Sequence, residues 1–111
     1  MRTLALALAV AYFGPTDALP QGNAMTAKDL LQVCTTAEVH WVDFCNGYFQ
    51  ALHDAAEVAG RVCTPSGTTR TQLVETYQAY AELVIEKNPS VGGLAGASLG
   101  MDILGSAFPC Q

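Results

Sequence analysis

Basic side chains are scarce in this sequence. Five lysines and arginines stand against ten acids in 111 residues, for a formal net charge of −5. Nucleic-acid binding draws on a basic footprint that neutralises phosphates, so this balance argues against it. A polybasic segment for anionic membrane surfaces is missing for the same reason. Charge of either sign is sparse, at 14% of residues, while half the residues are apolar. Disordered chains have the opposite composition, so the expectation is one globular domain. The chain also lacks an apolar run long enough for a transmembrane helix: its longest, Thr3 to Phe13, is 11 residues against the ~20 needed.

That short run reads instead as the core of a secretory signal. Arg2 supplies the positive start, Gly14-Pro15 ends the run, and small residues offer cleavage after Ala24 or after Ala18. Cleavage after Ala24 is preferred because Thr26 then opens the first helix almost at once. The chain thus divides into a signal peptide over 1–24 and a single domain over 25–111. Arg2 and Asp17 leave together, so the charge stays at −5. Export places the protein in the periplasm, and no membrane anchor remains after cleavage.

A domain this small buries limited surface and favours covalent staples. It carries four cysteines, Cys34, Cys45, Cys63 and Cys110, and an exported compartment favours pairing them. Zinc sites use close pairs such as C-x-x-C, whereas these gaps are 11, 18 and 47 residues. The expectation is therefore disulfides and no metal.

Hydrophobic spacing predicts an all-α fold, a compact bundle of about four helices. The first runs from Thr26 to Cys34, with Thr26 as N-cap and Asp29 three residues on. The second runs from Val39 to Ala59, with a core stripe at Trp41, Cys45, Tyr48, Leu52, Ala55 and Ala59, widened by Val42, Phe49 and Ala56. Gly60 ends it, and Cys63-Thr64-Pro65-Ser66-Gly67 forms a turn-rich loop. The third helix starts at Thr69, whose capping box uses Gln72. Its stripe is Leu73, Tyr77, Tyr80 and Val84, with Val74 and Ala81 alongside, and Asn88-Pro89 stops it. The fourth spans Leu94 to Ala107, with Leu94, Ala97, Met101, Leu104 and Phe108 on its apolar side. Gly96 and Gly100 there each cost up to about 1 kcal/mol relative to alanine, and are best explained by a closely approaching helix.

Helix reach limits how the cysteines pair. From Cys45 to Ala59 the second helix covers about 21 Å, while the link from Ala59 to Cys63 reaches back roughly 14 Å. Disulfide Cα atoms lie within about 7 Å, so Cys45–Cys63 is disfavoured. Antiparallel packing of consecutive helices favours Cys34–Cys45 and Cys63–Cys110, each stabilising by about 2–4 kcal/mol. The connectivity Cys34–Cys63 with Cys45–Cys110 stays open.

Catalytic candidates are few. His40 and Asp43 lie near the start of the second helix, and His53, Asp54 and Glu57 lie along it. His53 and Glu57 stand four residues apart and resemble half of a metal site, but they read better as a solvated face with His53 at its boundary. Ser66 lacks the G-x-S-x-G setting of a nucleophile, and bridged cysteines offer no thiolate. Nothing selects a carboxylate pair, and Gly92-Gly93 lacks the lysine of a phosphate loop. The expectation is no enzyme and no cofactor. Aromatic residues are instead plentiful: Trp41, Phe44, Tyr48, Phe49, Tyr77, Tyr80 and Phe108. Most belong in a core, and the remainder suit an oligomer or partner surface. Phe44, between the polar and apolar stripes, is singled out as a contact.

The motifs Asp29-Leu30-Leu31-x-x-Cys34, Phe44-Cys45-x-Gly47-Tyr48, Cys63-x-Pro65, Gln72-Leu73, Asn88-Pro89 and Ala107-Phe108-Pro109-Cys110 come in a fixed order across the domain. In this the chain resembles the small helical periplasmic immunity proteins of the Rap/Tai type, which protect bacteria from peptidoglycan amidases delivered by type VI secretion. The resemblance implies a disulfide-linked helical fold, often a homodimer, that binds a cognate toxin and occludes its active site. It implies contacts from a loop between helices. By position this is Asn88 to Gly93, with Ser90, Val91 and Gly92 reaching the toxin and the third helix beside them. Pro89 serves as a helix stop. Gly47 and Tyr48 read as packing residues, glycine admitting a close neighbour, and Pro65 and Pro109 as structural elements of the motif. Disulfides would preorganise the inhibitor, and its acidic charge would steer it toward a basic toxin. A periplasmic acid-stress chaperone that loosens at low pH is the alternative reading, and a small-ligand binder using His53 and Glu57 is the third.

Overall fold

The computed structural model describes residues 24–111. Four helices occupy them: α1 (Ala27–Cys34), α2 (Val39–Val58), α3 (Arg70–Lys87) and α4 (Gly96–Ala107), with a 3-10 turn over Pro89–Gly93 between the last two. The expected signal peptide lies outside the described residues except for its last position.

The caps act where the sequence places them. The Thr26 hydroxyl accepts from the Asp29 N–H at 3.1 Å, satisfying one of the free donors that every helix start leaves. At α3 the capping box is complete: the Gln72 N–H donates to Thr69 Oγ1 and the Thr69 N–H donates to Gln72 Oε1. α2 gives way to Gly60 at φ +75°, the left-handed backbone that glycine adopts without a Cβ clash. Pro89 lies just beyond the end of α3, and Lys87 places a cation in its last turn.

The fourth helix begins two residues later than the spacing suggests. Leu94 and Ala95 are spent on an extended pairing with the start of α1. The Ala27 N–H donates to the Leu94 carbonyl and the Gly96 N–H to the Met25 carbonyl, both at 2.8 Å. This single bridge, Thr26 with Ala95, is the sole β-type pairing among the described residues.

α3 touches each of the other three helices. Leu30, Phe49, Tyr77 and Leu104 are fully buried at the centre, one from each helix. Phe49 and Tyr77 lie 4.9 Å apart by ring centroid, and the buried Tyr77 hydroxyl donates to the Ala27 carbonyl at 2.8 Å. Removing a ring of this kind costs about 3–5 kcal/mol, so this pair is a major source of stability.

Two of the three α4 glycines, Gly96 and Gly100, permit the close approach expected of them. A Cβ on Gly96 would lie 2.9 Å from Leu30 Cδ2 and 3.2 Å from the Met25 carbonyl oxygen; one on Gly100 would lie 2.6 Å from Leu52 Cδ2. Gly47 behaves differently. A Cβ there meets nothing within 4 Å, so this glycine admits no neighbour and the packing role expected for it is corrected.

The buried face of α2 is also turned from the expected stripe. Cys45, Phe49, His53 and Ala56 are its buried residues, whereas Ala55 and Ala59 are exposed and Trp41, Tyr48 and Leu52 are half-buried. The 4-4-3 spacing of the buried set is an equally good helical stripe. On α3, Leu73, Val74, Tyr77 and Ala81 are buried, while Tyr80 faces outward. The disulfides are Cys34–Cys45 and Cys63–Cys110, with Cα atoms 5.7 and 5.0 Å apart. The crossed connectivity is thereby excluded.

Candidate functional site

The turn between α3 and α4 is held from both sides. Asn88 closes α3, the Val91 N–H donates to the Asn88 carbonyl at 2.9 Å, and the Ser90 hydroxyl donates to Asn88 Oδ1 at 2.8 Å. These local bonds fix the turn before any partner arrives. Its residues do not share one role. Ser90 is exposed, Val91 is half-buried against the core, and Gly92 is buried. A Cβ at Gly92 would lie 3.2 Å from Lys28 Cβ and 3.5 Å from Ile85 Cγ2, so Gly92 lets the turn press onto α1 and α3. Gly92 therefore faces inward, and Ser90 is the outward member of the expected trio.

Next to the turn, α3 carries exposed apolar side chains at Tyr80 and Leu83, 49% and 54% exposed. Three residues apart, they share one helix face. Leu94, immediately beyond the turn, is likewise half exposed. On its earlier turns α3 borders an open groove of about 550 Å³ lined by Pro65, Thr68, Gln72, Thr76, Tyr80 and Phe108. Turn, apolar flank and groove thus all border α3.

Phe44 is partly exposed, and its ring is not isolated. It meets Trp41 edge-on at 5.6 Å and Tyr48 at 5.6 Å, and Tyr48 continues to Phe49 at 5.4 Å. The exposed ring is a link in an aromatic series that runs from Trp41 to the core. Tyr48 lies half-buried against the core rather than at the centre of the buried α2 face, and burial raises its phenol above the ordinary tyrosine range. Pro65 turns the loop, its carbonyl accepting both the Thr68 N–H and hydroxyl, while Pro109 is exposed between Phe108 and Cys110.

His53 departs from the expected solvated face. It is buried, and its ring nitrogens face two partners: Nε2 lies 2.9 Å from Thr64 Oγ1 and Nδ1 lies 3.1 Å from Asp54 Oδ1. With Glu57, these side chains bring ligand-type atoms within 4.8 Å of one another. Because both nitrogens are engaged within the protein, the arrangement is a tie from α2 to the Cys63–Pro65 loop. The hydrogen bond from His53, with a second from Gln50, holds the Asp54 carboxyl below the usual aspartate range. Sequence periodicity missed this burial because the decisive partner, Thr64, lies eleven residues away in a loop.

All four cysteines are bridged, so none offers a thiolate. The arrangement that remains is a stapled scaffold presenting a fixed turn and an apolar helix flank. A family model described as Rap1a immunity proteins matches residues 26–110. The chain belongs to the Rap1a immunity protein family. No curated protein and no solved structure matches it. Rap1a immunity proteins are a toxin-neutralising, non-catalytic family, and membership implies that the chain binds a cognate toxin. Two disulfides accord with an extracytoplasmic immunity protein, and no helix among the described residues is long and apolar enough to cross a membrane.

Proposed function

We propose that this Rap1a protein works in the periplasm, after signal cleavage, and neutralises a peptidoglycan amidase delivered by type VI secretion. It does so by seating the Pro89–Gly93 turn and the adjoining outer face of α3 against the toxin, closing access to its active site. The observation that carries this reading is the family match over residues 26–110. The surface is consistent with it: Ser90, Tyr80 and Leu83 are exposed, while Gly92 and the Asn88 bonds keep the turn in one shape. A rigid turn loses little conformational freedom on binding, which is where preorganised inhibitors gain affinity. Val91 and Gly92 support the turn from beneath. Phe44 is a second proposed contact, and a homodimer is part of the proposal.

The test is affinity capture from the native periplasm with the tagged mature protein, followed by peptidoglycan hydrolysis assays on what is captured. One stoichiometric partner with amidase activity, silenced on binding, is the expected result. A spread of weak clients captured only at low pH would overturn it in favour of a chaperone. Light scattering of the free protein tests the dimer.

A further inference from the structure

We infer that the Cys63–Cys110 bridge is a reducible latch on the groove beside α3, opening while the Cys34–Cys45 bridge stays intact. The two bridges sit in different surroundings. Cys34 and Cys45 are 8% and 1% exposed and belong to the packed core. Cys63 and Cys110 are both exposed and lie on non-helical backbone. Disulfide exchange requires an attacking thiolate to approach a sulfur, so access decides which bridge reacts first.

What the exposed bridge holds is specific. It joins the loop after α2 to the segment after α4, and alongside it the Cys63 N–H donates to the Phe108 carbonyl at 2.9 Å. Phe108 and Pro65 both line the groove, so the bridge sets the distance between two of its walls. Thr64, beside Cys63, holds the buried His53. α4 itself is anchored independently by Leu99, Ile103 and Leu104, all buried. Breaking the bridge therefore releases the chain after Phe108 and leaves the Cys63–Phe108 hydrogen bond as the tie between the two segments, which loosens the Cys63–Pro65 loop with the four-helix core left standing.

The reductant is a dithiol. One of its thiolates attacks a cystine sulfur, the S–S bond breaks, and the departing Cys thiolate takes up a proton. The second thiol then displaces the mixed disulfide. Cys63 and Cys110 end as two thiols, having gained two electrons and two protons, and the reductant ends as a disulfide.

The test exposes the oxidised protein to dithiothreitol without denaturant, quenches samples with iodoacetamide and maps labelled cysteines by mass spectrometry. Hydrogen exchange is read on the same samples. Cys63 and Cys110 should be labelled at least about tenfold faster than Cys34 and Cys45, as accessibility requires. Exchange should rise over 61–68 and 107–111, with α1, α2 and α3 still protected. Simultaneous labelling of all four cysteines, earlier labelling of Cys34 and Cys45, or unchanged exchange after Cys63–Cys110 is reduced would each overturn the latch.

Discussion

The contact of α4 with α1 and α2 and the outer flank of α3 are both rich in apolar side chains, yet they do opposite things with them. In the first, Gly96 and Gly100 remove side-chain bulk so that Leu30, Leu52 and Phe49 can close in. In the second, Tyr80 and Leu83 stand half exposed on the surface of the described chain. Burial against water is what makes apolar area stabilising, so the first region holds the fold and the second has its area still to bury. An inhibitor needs both: a frame that does not yield and a surface that is left over.

Substitutions in the two regions should therefore separate cleanly. Phe49→Ala removes the fully buried ring stacked on Tyr77, and a chemical melt should show a loss of about 3–5 kcal/mol. Gly96→Val should cost about 1–3 kcal/mol, because the Met25 carbonyl and Leu30 Cβ leave no slack for added atoms. Gly100→Ala should cost less, since the nearest atom is the mobile end of Leu52. Tyr77→Phe deletes the buried hydroxyl bond to Ala27, worth about 1 kcal/mol in the same assay. At the other extreme, Tyr80→Ser and Leu83→Ser should shift stability by less than about 0.5 kcal/mol while weakening partner binding. Equal stability losses in both regions would erase the distinction.

The core should also be visible in the response to pH. Burial, with the neighbouring Tyr48 adding to it, raises the Tyr77 phenol well above its ordinary 10.0. The folded protein then keeps this proton where the unfolded chain releases it, so the contribution is intact below about pH 10 and declines as pH rises beyond it. Asp54 has the opposite sign. Its carboxyl lies below the ordinary 3.8, so its contribution holds above that value and is lost as pH falls through the folded value. Melts across both limbs should place the larger change on the alkaline side, where the buried group titrates.

Helix boundaries and bridges were legible in the sequence because local rules govern them. Thr26 and Thr69 cap the helices they precede, Pro89 bars continuation, helix reach disfavours Cys45–Cys63, and antiparallel packing of consecutive helices favours the two bridges found. The rotation of α2 was not. Trp41, Phe44, Tyr48 and Phe49 make a broad apolar arc over its first turns, so periodicity alone does not choose between Tyr48 and Phe49 as the centre. The decision comes from Tyr77 on another helix. Likewise Gly92 looks like a free loop residue until Lys28 and Ile85 are placed against it. Long-range packing decided each of these cases, and a single sequence carries little of it.

The account's central claim is that recognition resides on the turn after α3 and its apolar flank. The most direct test is an inhibition titration of the captured amidase with the native protein and with a Leu83→Asp/Ser90→Lys variant of unchanged melting behaviour. The native protein should abolish hydrolysis at stoichiometric amounts, and the variant should require a large excess. Equal inhibition by both would contradict the claim and move the interface to another face of the bundle.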